Sequence, residues 1–480
     1  MIWAKSPAKA LLGKMEHAEN YRQWAELAAT YDLESGLEEW RATEMSEEYD
    51  YRAVRQRFER LRGLRYRREY PELMFALNEG IHGNLAGMGR AELYAHSQLG
   101  TKHLIHQYIE EVCESIRAID EVDQSVITLE QKKDFFLRAS HCFGRSALML
   151  SGGAMLGYFH AGVIRALFQE GLLPAIISGS SAGSIVAAIT CTHADQDLLA
   201  CLVPEYLQMS VDKPSARSMR LLRVKSPLNA NDLQLYLQRV IPDITFEEAY
   251  RITGRHLNIT VTGLEPRQAP RLLNAITAPT VLIRSAVMAS CAISGIFPPV
   301  TLKAKNAGGQ QVPYLPEQRW IDGSFIDDLP AKRLGRLYGV NHFISSMANP
   351  AALLFTPNPN GHHGPLHWLL NQQIRLGKVV ATQALRMSRD HLRLRNPTLA
   401  RWQHLGYNVL AQDYIADINI FLGKRWHSPL KLLSPLPMAE LKQLIREGEL
   451  ATWARMEMVR NCTSISRTLD GVLHNRRWIN

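Results

Sequence analysis

The sequence predicts an α/β fold, with a mostly parallel sheet between helices and helical regions on its amino-terminal and carboxyl-terminal sides. Three observations carry this. From residue 145 to about 347, short apolar runs alternate with glycine-rich turns and helical patterns, as in ALMLSGG, PAIISGSSAG, LNITVTG and HFISSM. That alternation suits parallel strands covered by helices on both faces. Residues 1–143 are charge-blocked and helical in spacing, and beyond residue 348 a turn-rich stretch, NPNGHHGP, leads to further helical segments. Finally, two long uncharged stretches, 146–164 and 171–194, lie close together. Each is long enough to cross a bilayer. However, Gly152, Gly153, Gly157 and Gly162 interrupt the first, and Pro174, Gly179 and Gly183 the second, so buried strand, turn and helix fit better. The expected division is 1–143, 144–347 and 348–480, within the about two to four domains that such a length suggests.

The net charge of +9 and the 46% hydrophobic content exclude a disordered or fibrous chain and admit an anionic partner surface. The amino-terminal stretch MIWAKSPAKALLGK breaks its apolar residues with Lys5, Pro7, Lys9 and Lys14, so no secretory signal is read there and a cytoplasmic location is expected. Residues 15–50 hold eleven acids and two bases, and residues 52–68 hold eight arginines with Glu59. At about 100° per residue those arginines spread around the helix, which favours a solvated helix pairing with acids over a binding face. Thr245 and Glu248 form a capping box ahead of the strand near Asn258. The six cysteines have no paired spacing and read as reduced, mostly buried thiols, with no zinc site expected.

Three segments carry chemistry. PAIISGSSAGSIVAA sets Gly179, Ser180, Ser181, Ala182 and Gly183 between an apolar strand and an apolar helix, the GxSxG nucleophile elbow centred on Ser181. Small residues two positions either side of the serine let strand and helix approach, and the helix start favours a developing oxyanion. About thirty residues upstream, ALMLSGGAMLGYFHAGVIRAL is a second strand, glycine turn and helix, whose Gly152 and Gly153 can present N–H groups to an oxyanion. A dinucleotide loop is disfavoured, because Ala154 stands at the middle glycine and no acid follows at the required distance. In RWIDGSFIDDLP, Asp322 ends a short apolar approach before Gly323, placed to accept a serine proton. An Asp-Gly turn is the plain alternative there. Asp327 and Asp328 are expected to cap the helix beginning near Pro330.

These blocks, in this order, resemble the patatin-like phospholipase family, and ASCAISGIFPPV (289–300) matches the segment ahead of that family's aspartate. The resemblance covers about 145–345 and implies a patatin-like core with a Ser-Asp dyad and no catalytic histidine. Ser181 would be nucleophile, Asp322 general base, Gly152 and Gly153 the oxyanion turn, and Gly179 and Gly183 the elbow glycines. Ala154 and Ser324 depart from the family's usual residues. SEEYDYRAVRQRFERLR and NLAGMGRAELYAHSQLGTKHLIHQYIEEV resemble the helical domain of unknown function in yeast and plant triacylglycerol lipases. That implies a glycerolipid ester substrate, most often triacylglycerol, with hydrolysis requiring no cofactor. Phospholipase action or acyl transfer to a lysophospholipid would share the acyl-enzyme. An inactive membrane or lipid-droplet adaptor is the reading of another class, and the intact elbow, glycine turn and aspartate oppose it.

A Ser-Asp-His hydrolase would need a histidine after the acid, and His342, His362, His363, His367, His391, His404, His427 and His474 qualify by order alone. His160 is expected to pack at a helix start. In IRLGKVVATQALRMSRDHLRLR, Arg375, Lys378, Arg386, Arg389 and Arg393 fall within an arc of about 80° on a helical wheel. Such a stripe suits reversible contact with an anionic lipid surface, or a solvated helix face. No groove-reading or base-stacking motif accompanies the charge, so nucleic acid is not an expected partner.

Overall fold

The structure is a computed structural model that describes residues 7–81, 84–209, 229–265, 268–293, 296–324, 327–350, 353, 416–423, 432, 434–476 and 478. It divides into two compact units. The first comprises Met1–Ser146, Leu334–Phe343 and Thr452–Asn480, and the second Ala147–Arg333 and Ile344–Ala451. Neither is contiguous in sequence.

The first unit is helical. Its centre is the helix His103–Glu121, which buries Leu104, Tyr108, Val112, Ile116 and Ile119, a stripe at steps of three and four residues. The arginine-rich helix Tyr51–Tyr66 packs on it through Val54, Phe58, Leu61 and Leu64. The helix Met456–Asn475 packs on it and on Leu129–Phe143. Four of the eight arginines at 52–68 find acids. Arg55 pairs with Glu44, Arg60 with Glu79, Arg65 with Glu111 and Arg67 with Glu69, in line with a solvated, ion-paired helix.

The second unit is built on a seven-stranded sheet. The strands are β1 (Arg145–Leu150), β2 (Ile176–Gly179), β3 (His256–Gly263), β4 (Arg271–Leu273), β7 (Trp320–Asp322), β8 (Val340–Met347) and β9 (Ile418–Phe421), while β5 (Lys303–Lys305) and β6 (Gln311–Pro313) form a separate hairpin. The order is β4-β3-β2-β1-β8-β9, with β7 also on β3. β1, β2 and β3 pair in parallel, as do β8 and β9, while β4 and β7 run antiparallel to β3. Helices Tyr158–Gln169 and Ala182–Thr192 connect β1 to β2 and β2 to β3 and are buried along most of their lengths. This agrees with the fold read from the apolar runs. The Thr245 capping box forms, with Thr245 N donating to Glu248 Oε2 at 2.8 Å and Glu248 N to Thr245 Oγ1 at 3.2 Å.

The sheet does not stop at residue 347. β9 comes from the region expected to be mainly helical and pairs with β8 from Ile344↔Ile418 to Met347↔Phe421. With β9 in place, the core strand β8 is covered on that side. Among the described residues no helix is long and apolar enough to cross a membrane.

Candidate active site

Strands β1 and β2 deliver their loops to the same end of the sheet, the carboxyl ends of parallel strands where ligand sites form in α/β folds. After β2, Ser181 is the N-cap of helix Ala182–Thr192 and has φ +49° and ψ −123°, a strained conformation for a residue with a Cβ. The neighbourhood fixes it. Ser180 N donates to Leu150 O at 3.1 Å, Ser181 N to Ser290 Oγ at 2.9 Å, and Ser184 Oγ to Ser181 O at 2.6 Å. Ser290 Oγ in turn donates to Thr260 O at 2.8 Å. The elbow glycines have a steric reason: a Cβ on Gly183 would collide with the Leu150 carbonyl oxygen, and one on Gly179 with the backbone of Gly183 and Ser184.

Asp322 closes β7. Its N–H donates to Ala292 O at 3.0 Å, and its Oδ1 accepts from Ser324 N at 2.8 Å. The side chain is buried, and among the described residues Oδ2 makes no full hydrogen bond. Burial raises the carboxyl to a pKa of about 6, while bonds from Ser324 and the nearby Ser181 hydroxyl pull the other way. A serine hydroxyl beside an open, buried carboxylate oxygen can tighten into a proton-transfer contact once a substrate arrives.

The glycine turn follows β1. Gly152 lies so close to Ser181 and Ser324 that a Cβ there would be 3.1 Å from Ser324 Cβ and 3.5 Å from Ser181 Cβ. Its N–H, however, donates to Asp328 Oδ1 at 2.7 Å. This corrects the sequence reading twice. Gly152 is not an available oxyanion donor because its N–H is already taken, and Asp328 turns to the glycine turn instead of to the following helix. Asp327 is nearer to expectation, forming an ion pair at 3.2 Å with Arg333 in the first turn of helix Ala331–Tyr338. Among the described residues, the N–H groups of Gly153 and Ala182 have no acceptor. Ala154 adopts φ +51°, which explains why a glycine suits that place.

His160 is fully buried, with Nε2 2.9 Å from Ser151 O and Nδ1 2.6 Å from Ser346 Oγ. Because a carbonyl only accepts, Nε2 carries the proton and Nδ1 accepts from Ser346. Burial lowers its pKa to about 4, so the ring is neutral and structural. Among the described residues no histidine bonds Ser181. His342 is the third residue of β8, with Nδ1 3.0 Å from Ser146 Oγ. His362, His363, His367, His391, His404 and His427, and the whole stripe Arg375, Lys378, Arg386, Arg389 and Arg393, lie outside the described residues. Sequence reasoning missed Ser290, although it sits in the quoted ASCAISG segment, and the clamping role of Asp328.

Comparison with known proteins agrees with the geometry. Residues 148–334 match the patatin-like phospholipase family and residues 1–141 a domain of unknown function (DUF3336). Triacylglycerol lipase 5 of Saccharomyces cerevisiae is 36% identical over 96% of this chain and 64% of its own length. Triacylglycerol lipase ptl2 of Schizosaccharomyces pombe is 28% identical over 98% of this chain and 76% of its own. Triacylglycerol lipase SDP1L of Arabidopsis thaliana is 30% identical over 95% and 57%. The chain thus spans between 57% and 76% of these relatives' lengths. Residues 148–334 thus belong to the patatin-like phospholipase family, with this domain of unknown function ahead of them.

Proposed function

We propose that this chain is a serine acyl hydrolase that releases fatty acids from glycerolipid esters, with triacylglycerol as the natural class. The observation that carries the reading is the strained Ser181 at a helix start beside the buried carboxylate of Asp322. The relatives named triacylglycerol lipase favour that substrate class.

In this mechanism Ser181 Oγ attacks the ester carbonyl while Asp322 takes its proton. The N–H groups of Gly153 and Ala182, with the helix start behind them, stabilise the tetrahedral oxyanion. Collapse breaks the ester C–O bond, and Asp322 returns the proton to the leaving alkoxide. Water then attacks the acyl-enzyme, Asp322 accepting its proton and handing it back to Ser181 as the fatty acid leaves. A lysophospholipid hydroxyl entering in place of water would give acyl transfer by the same steps.

The basic stripe from Arg375 to Arg393 would bring the site to a lipid surface, each charge contributing about 1 kcal/mol near anionic lipid. The test is a lipid-class panel with purified protein, combined with fluorophosphonate labelling. Fatty acid release from triacylglycerol, with label lost in Ser181→Ala, supports the reading. A wild-type protein that neither labels nor hydrolyses any ester sinks it, and preference for phospholipid reassigns the substrate.

A further inference from the structure

Two glycines in succession leave the oxyanion turn free to rotate its peptide planes, so something must hold it. The peptide between Ser151 and Gly152 is pinned at both ends by side chains. Its carbonyl accepts from His160 Nε2 at 2.9 Å, and its N–H donates to Asp328 Oδ1 at 2.7 Å. The next carbonyl, that of Gly152, accepts from Ser151 Oγ at 3.0 Å. Its partner in the same peptide, the Gly153 N–H, is the group left without an acceptor among the described residues.

Asp328 is itself braced. Oδ2 accepts from Asn349 Nδ2 at 3.1 Å, and its main-chain oxygen accepts from Ser180 Oγ at 3.1 Å. One residue, six positions past Asp322, therefore bonds both the glycine turn and the nucleophile elbow. We propose that Asp328 is a positioning residue of the acyl-transfer site: its carboxylate fixes the Gly152 peptide and thereby aims the Gly153 N–H at the forming oxyanion. This rests on the hydrolase reading above. Burial, with Asp322 and Asp327 adding to it, raises the Asp328 carboxyl to a pKa of about 7. A carboxylate kept at so unfavourable a place agrees with a functional need for its acceptor oxygens.

The experiment uses the full chain and a soluble p-nitrophenyl ester, with Ser181→Ala as control. Asp328→Ala is expected to lower kcat about 100-fold with KM changed less than about threefold, the scale of losing one oxyanion donor. Asp328→Asn keeps an oxygen for Gly152 and is expected to recover kcat to within about tenfold of wild type, since a neutral acceptor makes a weaker bond than a charged one. Wild-type kcat in Asp328→Ala would overturn the inference. So would an Asn variant no better than Ala when both melt like wild type. Should Asp328→Ala not fold, Asn349→Ala removes the brace on the carboxylate and leaves the Ser180 bond; a kcat drop of about fivefold at constant KM is expected, because the hydrogen bond to Oδ2 is lost, and wild-type kcat would count against the proposal. Activity that survives Ser181→Ala would instead defeat the hydrolase reading itself.

Discussion

At Ser181 the backbone is held where glycine would rest more comfortably, and the strain sits at the residue we propose as the nucleophile. Ser181→Gly should therefore abolish hydrolysis yet stabilise the fold by about 1 to 3 kcal/mol, readable as a higher Tm. Asp322 gives a pH-dependent counterpart. Its folded pKa, about 6, lies above the ordinary 3.8, so the native state holds this proton longer than the unfolded chain. Stability from this group falls as pH rises from about 4 to 6, and above that the burial penalty is complete, on the order of 3 kcal/mol. Asp322→Asn should thus melt higher than wild type at pH 8, the gap closing below pH 4, while losing nearly all activity. In the wild type, kcat on a soluble ester should climb through about pH 6 as the base ionises; a profile flat from pH 4 to 8 would count against Asp322. The nucleophile was legible because the elbow needs only five adjacent residues. Ser290 and Asp328 were not, because they reach Ser181 and Gly152 from 109 and 176 positions away, and only the folded sheet brings them there.

Among the elements, helix and strand approach closely where glycines allow it. Gly183→Ala would drive a methyl into the Leu150 and Ser151 carbonyl oxygens, and Gly162→Ala would drive one into the backbone of helix Met438–Trp453 at Ile445. Each should cost several kcal/mol and appear as loss of soluble protein, because backbone cannot step aside as a side chain can. In the helical unit, Arg65 covers the carboxylate of Glu111, whose side chain is 5% exposed. Arg65→Ala should destabilise by about 3 kcal/mol by stranding that charge, and a Tm within a degree of wild type would show that water reaches it. The β1 and β2 strands were readable as continuous apolar runs, as buried parallel strands are, and β3 and β8 as apolar residues interleaved with polar ones. The hairpin β5–β6 and strand β9 were not. They are three or four residues long and take their stability from pairing partners instead of from their own pattern.

For the molecule as a whole, the two uncharged stretches that could have been membrane spans form the glycine turn and the elbow instead, each folded back by its glycines. Residues 1–143 hold 19 bases and 24 acids, so the net charge of +9 arises beyond them, and the stripe at 375–393 supplies part of it. Replacing the five stripe residues by Gln should weaken liposome binding and lower activity on emulsions more than on soluble esters. Equal loss on both would make the stripe a solvated face. One thiol can report on the catalytic unit without any substrate. Cys291 is buried beside Asp322, and burial holds its proton far more tightly than usual, while Cys142 lies exposed on the helix Leu129–Phe143. In the native protein a maleimide should take Cys142 at once and spare Cys291. The lag before Cys291 reacts then becomes a clock for how often the chain around Asp322 comes apart.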